Sequence, residues 1–456
     1  MFKNWSTIVL VSLLVVAIAA PAFGTTARVR SMAGTGDYLS DDSNVFRWYS
    51  TLPSYANLVQ AEIGTLGSLS DVDEVAFLSD TRALGFNYAC GEDGKWGTYR
   101  ISLLENAVDH PGFYLVNPFI YWHSLSNGAG DSDFSTPVNK WDLAGGWEIG
   151  ESIVLGVAYT RSSWKVEDEQ FRGTQADPNL KESLSWTTFG VGFTWTNNES
   201  MLLDATFTYA TAGGEYEISP APPAPGFAKG EWDKSGGFEI GARLFYDWKD
   251  YVTVIPLFQY MTSEYSLKAS PAGNELPPPN GDKNADIVIG AALDLEVNGS
   301  NTLIFAAEYN WNKWEYSVPD TTTNPDDYKS VPVNELTTSV FPTFRLALES
   351  EITSWLTTRV GAVHRNISYT QTRDGKDMKW TNDEDAEIIN VNGQPSLPNS
   401  FDWFLGVGFN VAEWTIDMEL HEATPFATGY WITGYSPWGG EGSQGPISRI
   451  SATYSF

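Results

Sequence analysis

The chain has 456 residues, a formal net charge of −30, a single cysteine and an aromatic complement of 19 Trp, 21 Tyr and 24 Phe. An acidic balance this strong excludes nucleic acid as a partner, because phosphate binding is built on a surplus of Lys and Arg. Cys90 alone excludes an intramolecular disulfide and supplies no metal-ligand spacing.

Residues 1–24 read as a secretory signal peptide: Lys3 supplies the positive n-region and Ile8 to Ala20 the apolar h-region. Small residues allow cleavage after Gly24 (Ala22-Phe23-Gly24) or after Ala22 (Ala20-Pro21-Ala22). No later stretch approaches the ~18 to 20 apolar residues that a spanning helix needs. If the exported chain crosses a membrane it does so as a closed barrel, since lipid offers no partner to an open sheet edge.

Residues 25–57 are not strand-like. They carry Arg28, Arg30, the glycine-containing run Met32-Ala33-Gly34-Thr35-Gly36, then Asp41-Asp42-Ser43-Asn44-Val45-Phe46 and Arg47-Trp48. This resembles the start of the FadL/TodX-type family of outer-membrane transporters for fatty acids and aromatic hydrocarbons, a pattern shared by related secretion barrels. The resemblance implies that the segment is a plug, or hatch, inside a barrel. Tyr49-Ser50-Thr51-Leu52 stands where the family has Asn-Pro-Ala-Gly-Leu, so the Asn-Pro is missing. Glycines let a chain turn sharply in a narrow lumen, and Phe46, Trp48 and Tyr49 are atypical of a disordered leader. Arg28, Arg30 and Arg47 are expected to pair with lumen acids such as Asp142, Asp204, Asp294 or Glu296.

From Leu58 to Phe456 the pattern predicts an all-β transmembrane antiparallel β-barrel of about sixteen strands, with fourteen as the other count. The predicted strands are 58–66, 82–90, 97–105, 142–149, 153–161, 184–196, 201–211, 238–248, 251–265, 286–297, 302–316, 335–348, 355–369, 401–411, 414–424 and 447–456. Turns such as Gly150-Glu151-Ser152 and Asn298-Gly299-Ser300-Asn301 join them at one end. Long polar connections join them at the other: 106–139, 165–181, 213–235, 268–283, 319–333, 373–399 and 426–446. That segregation of loop length is the asymmetry of outer-membrane barrels, short on the periplasmic side and long outside. Phe113 to His123 also alternates, but a further spanning strand would put the termini on opposite sides, so it is assigned to the loop.

Alternation assigns the faces. Phe238, Ile240, Ala242, Leu244, Tyr246 and Trp248 share one side, and Glu239, Arg243 and Asp247 the other. So polar a side is costly in a dry core but can line water. The expected lumen set is Arg100, Glu239, Arg243, Asp247, Glu308, Arg345, Glu349, Arg359, Arg365, Asp402, Glu419 and Arg449. Such mixed rings either set charge selectivity or pair across the lumen and close it. The last strand alternates Ile450, Ala452, Tyr454 and Phe456 with Arg449, Ser451, Thr453 and Ser455. It resembles the closing strand of outer-membrane barrels, in which a terminal Phe addresses the barrel-assembly machinery.

No catalytic constellation emerges. His110, His123, His364 and His421 have no metal-ligand spacing and no neighbouring nucleophile signature. The acidic runs Asp71-Val72-Asp73-Glu74, Glu167-Asp168-Glu169 and Asp383-Glu384-Asp385 do not match a calcium loop; solvation, or bridging by divalent cations, is expected of them. The expectation is therefore a non-enzymatic channel of the bacterial outer membrane, with no cofactor, surrounded by outer-membrane lipid. Cargo would be small and, by the resemblance, hydrophobic. It would be captured by Phe113, Tyr114, Phe119, Tyr121 and Trp122 and released past a plug at Phe46 to Trp48. A cation-preferring diffusion porin and a non-transporting surface or secretion scaffold are the alternatives.

Overall fold

The computed structural model describes residues 25–65, 80–91, 94–105, 139–168, 179–197, 200–219, 227–271, 282–316, 334–373, 376–381, 401–420 and 447–456. After a short helix α1 (Thr26–Ser31) and three 3-10 turns (Gly36–Tyr38, Asp42–Phe46, Tyr49–Tyr55) the described chain is strand. The strands are β1 (Leu58–Thr65), β2 (Asp80–Ala89), β3 (Thr98–Glu105), β4 (Asn139–Ile149), β5 (Ile153–Asp168), β6 (Asn179–Asn197), β7 (Met201–Ser219), β8 (Phe227–Lys249) and β9 (Val252–Pro271). There follow β10 (Asp282–Asn298), β11 (Asn301–Tyr316), β12 (Asn334–Thr353), β13 (Leu356–Arg373), β14 (Lys376–Thr381), β15 (Phe401–Val411), β16 (Trp414–Leu420) and β17 (Ile447–Ser455).

Each strand but β14 pairs antiparallel with the next, β15 pairs with β13, and β17 returns to β1 with Leu58 opposite Ser455. All the strands but β14 therefore close a ring of sixteen. A closed ring has no free edge, and its backbone groups are all paired, which is the condition for lying in lipid.

The sides are inverted relative to a soluble protein. On β17 Arg449, Ser451 and Thr453 are buried inside the ring, and Phe456 is exposed on the outside. Aromatic side chains on the outer face form two bands, as at the two interfaces of a bilayer. One, near the short turns, holds Trp355–Phe409, Trp414–Tyr454 (ring centroids 4.9 Å apart) and Phe86–Phe456 (5.8 Å). The other, nearer the long loops, holds Trp141–Tyr159–Phe189, Phe207–Phe238–Tyr260 and Tyr309–Phe341.

Two loop expectations are corrected. The expected loop 213–235 is mostly strand: β7 runs on to Ser219 and β8 starts at Phe227, with Glu215 opposite Glu231 and Glu217 opposite Lys229. Within 373–399, β14 folds back on β13, pairing Arg373 with Lys376 and Ser368 with Thr381. Beyond the apolar zone both faces of a hairpin meet water, so backbone pairing continues without the alternation that betrays a strand. The signal peptide, Phe113, Tyr114, Phe119, Tyr121, Trp122, His421 and the acidic runs 71–74 and 383–385 lie outside the described residues.

Candidate functional site

The described segment before β1 lies inside the ring. Thr25 caps α1 by accepting the Arg28 amide (3.2 Å), and the helix ends where Ala33 and Gly34 take left-handed backbone (φ 59° and 69°). Asp41 caps the second 3-10 turn through the Ser43 amide (2.9 Å). From α1 against β13, β15, β16 and β17 the segment crosses to its last turn, which packs on β2 to β6. Met32, Trp48 and Leu52 are fully buried there.

An irregular chain at membrane depth needs partners for its carbonyls. The wall supplies them. Arg345 donates to Ala33 O (2.5 Å), and Arg243 to the carbonyls of Asp37 (3.1 Å) and Leu39 (3.2 Å). Thr206 donates to Arg47 O (2.9 Å), and Asn87 to Tyr55 O (2.7 Å). The segment fits because the wall is cut back at glycines. A Cβ at Gly156 would lie 2.3 Å from the Tyr49 carbonyl, and one at Gly361 2.4 Å from the Ala33 nitrogen.

Its arginines are clamped. Arg28 donates to both carboxylate oxygens of Glu349 (2.8 Å each) and meets Asp41 at 3.1 Å. Arg30 pairs with Glu419 (3.0 Å), and Arg47 with Asp37 (2.9 Å) and Glu239 (3.0 Å). The partners differ from those expected. Asp142 instead takes Lys140 (3.0 Å), Asp204 takes Arg243 (2.9 Å), and Asp294 and Glu296 line a separate cleft at the short turns. Asp142 and Asp204 are taken by cations of the wall itself, which leaves Glu239, Glu349 and Glu419 to the segment's arginines, and Glu349 lines that same cleft.

The remaining lumen residues form further pairs. Arg345 holds Glu308 (2.8 Å), Arg359 bridges Glu349 (2.5 Å) and Asp417 (2.6 Å), and Arg449 pairs with Glu62 and sits 3.8 Å from Glu419. Arg100 donates to Asn87 (2.9 Å) and Gln60 (3.1 Å) and lies over Phe46 (4.4 Å to the ring centre). Arg243 lies likewise over Trp48 (4.6 Å). Arg365 and Asp402 pair with each other (2.5 Å), and Asp247 stands exposed near a short turn, accepting from Thr253 (2.7 Å). Asp204 stands in the lumen as expected but pairs with Arg243 of the wall. Sequence reasoning missed Glu62 as a lumen partner, although it lies on the polar face of its strand. It also missed Asp37, Asp41 and Asp42 as the segment's own acids.

Burial raises the Asp37 carboxyl, but the Arg47 and Arg243 charges and hydrogen bonds from Trp48 and Gln259 outweigh it and hold the group below its ordinary value. Its contribution to seating the segment is therefore present above the unfolded value of about 3.9 and is lost as pH falls through the lower folded one. Hydrogen exchange of residues 36–49, corrected for intrinsic rates, is expected to be equal at pH 7 and pH 5 and to rise below about pH 3.9. Asp37→Asn should abolish that acid step; persistence of the step in the variant would assign it elsewhere. Asp42 is the opposite case: burial, then the adjoining Asp41 charge, push it well above the carboxylate range.

Between segment and wall remains a cavity of about 490 Å³. Val29, Gly36, Tyr38 and Trp48 line it from the segment, and Glu239, Leu257, Met261, Asp286 and Val288 from the wall. Asp286 and Val288 lie beyond Gly290, which the Tyr38 ring abuts, so the cavity faces the long-loop end.

No family model matches the chain, and no curated protein matches it. Among solved structures it is similar to hydrocarbon channels of the FadL/TodX type, the family its N-terminal residues resemble. The Pseudomonas putida toluene transporter TodX is 9% identical, with 95% of this chain and 99% of that chain covered and a TM-score of 0.36. The Ralstonia pickettii toluene transporter TbuX is 10% identical, with 95% and 98% covered and a TM-score of 0.37. The copper transporter OprC is 12% identical, with 80% and 60% covered and a TM-score of 0.38. Likeness this distant, and equal for such different barrels, says nothing about cargo.

Proposed function

We propose that this chain is an outer-membrane channel for passive uptake of small molecules, closed at rest by its own N-terminal segment. The observation that carries the reading is the seating of residues 25–57 inside the ring, with a cavity left on the long-loop side of that segment. In this reading the long loops face outward, cargo settles in the cavity, and passage follows a shift of the segment. Leu257, Met261, Val288 and the Trp48 ring offer apolar contact, while Asp286 and Glu239 stand among them. Hydrophobic cargo, as the family resemblance implies, is therefore read as a molecule with an apolar body and a polar end. A diffusion porin needs a lumen open at rest, which a seated segment opposes. Phe456, exposed beside Phe86 and Tyr454, is in this reading the mark that the assembly machinery recognises.

The test compares the full chain with a variant lacking residues 25–55, each first checked for an intact barrel by heat-dependent gel mobility. The expected result is low bilayer conductance for the full chain, a conductance rise of at least about ten-fold on deletion, and loss of binding of an aromatic carboxylate or amine probe. Equal conductance and equal binding in the two proteins would sink the proposal.

A further inference from the structure

At the short-turn side of the segment, charge does not balance. Asp41, Asp42, Asp417 and Glu349 meet two guanidiniums, Arg28 and Arg359. Arg28 holds Asp41 and Glu349, and Arg359 holds Glu349 and Asp417, which leaves Asp42 with no cation in contact among the described residues. Asp42 is fully buried, its Oδ1 has no hydrogen-bond partner, and Oδ2 has only the Thr453 hydroxyl at 3.5 Å. Arg100, the next guanidinium, donates to the neutral Asn87 and Gln60 and acts on Asp42 only through space, so even with it three cations stand near four carboxylates. Without a cation beside it, burial keeps this carboxyl protonated, and it ionises only where a counter-charge is brought to it.

The first described residue stands in this cluster. Thr25 is fully buried and its Oγ1 donates to Asp417 Oδ2 at 2.9 Å. Its main-chain nitrogen is three covalent bonds from that hydroxyl oxygen, hence roughly within 7 Å of the carboxylate. While residue 24 is attached, this nitrogen is a neutral amide. Hydrolysis of the bond, in which water gives its hydroxyl to the Gly24 carbonyl carbon and a proton to the Thr25 nitrogen, leaves an amine there, and the proton released by the new Gly24 carboxyl turns it into an ammonium.

We propose that leader removal falls between Gly24 and Thr25, and that the new Thr25 α-ammonium stays inside the barrel as the counter-charge to Asp42 and Asp417. The inference rests on residues 1–24 being a cleaved leader. Cleavage after Ala22 would instead start the chain at Phe23, two residues away from the carboxylates. A positive charge at the start of α1 opposes the helix dipole, but in six residues that dipole is weak beside adjacent full charges. Processing then does more than free the chain: it supplies the ion that holds the segment down.

The experiment uses the full chain expressed with its own leader and purified from the membrane fraction. Mass spectrometry of the N-terminal peptide is expected to begin at Thr25. Retention of residues 1–24 would overturn the leader reading itself. A start at Phe23 or elsewhere would leave that reading intact and overturn this inference alone. In the folded protein, acylation of the α-amine by an N-hydroxysuccinimide ester at pH 7 should be at least about ten-fold slower than in urea, as expected of a sequestered group. Equal rates would overturn the burial. Asp42→Asn should accelerate the folded-state reaction by at least about three-fold, and Asp42→Glu, which keeps the charge, should not. An unchanged rate in Asp42→Asn would make Asp42 a protonated carboxyl and remove the ion pair.

Discussion

Replacing Arg28 and Arg47 together by alanine is expected to convert the closed barrel into a conducting one. Each guanidinium is mostly buried and pairs with two carboxylates, Glu349 and Asp41 for the first, Asp37 and Glu239 for the second. Removing one partner of such a pair costs more than the pair itself contributes, because the carboxylates left behind keep their burial without compensation. Proton uptake by the freed acids limits the loss, to about 2–3 kcal/mol at each site. The two clamps share no partner, so their effects should add. Together they shift the seated–unseated balance on the order of a thousand-fold. The wall is unaltered, so the ring should still assemble. Planar-bilayer conductance reads the outcome, and a double variant that folds but stays as closed as the parent would show that the arginines do not hold the segment.

Alanine at Gly156 and Gly361 should expel the segment by shape alone. At Gly156 the added Cβ would stand 2.3 Å from the carbonyl carbon and oxygen of Tyr49 and 2.4 Å from the Ser50 nitrogen. At Gly361 it would meet the Ala33 nitrogen at 2.4 Å and the Met32 carbonyl carbon at 2.9 Å. These are main-chain atoms, so no rotamer change relieves the clash. A small overpacking in a core costs about 1–3 kcal/mol; a Cβ driven into main-chain atoms on both walls should exceed that. The strands themselves tolerate alanine, and neither position faces lipid. Faster hydrogen exchange across residues 25–57 and a rise in conductance are expected from the double variant. Gly213→Ala, whose Cβ would find only Ser185 Oγ at 3.9 Å, is the control and should behave as the parent. Matching exchange in the double variant and the control would mean that the glycines are not docking points.

Both predictions turn on features that were half legible beforehand. The alternation from Phe238 to Trp248 told which side of β8 meets lipid, because one face in a bilayer must be apolar over the whole span. Glu239 and Arg243 followed onto the lumen. Their partners did not follow: Glu239 takes Arg47, and Arg243 takes Asp204 and the segment's carbonyls. Pairing across a lumen depends on the depth at which each side chain stands, and depth is set by register around the whole ring. The glycines among the polar positions were visible as well, but a glycine facing water and a glycine facing another backbone look alike in a sequence. The ribbons beyond the membrane in β7 and β8 were misread as loop, because a hairpin wetted on both faces has no alternation to detect.

The sequence by itself determined the closed antiparallel barrel, its inverted sides and its two unlike ends. Lipid imposes those features locally, through a period of two along each strand and a break in it at each turn. Only the tertiary structure decided how residues 25–57 lie against the wall, which acid each arginine clamps, and that a cavity is left on one side of the segment. Those are contacts between residues far apart in the chain, such as Arg28 with Glu349 and Ala33 with Arg345, and no periodicity encodes them. They exist because an irregular backbone held at membrane depth must find its hydrogen-bond partners in the barrel around it.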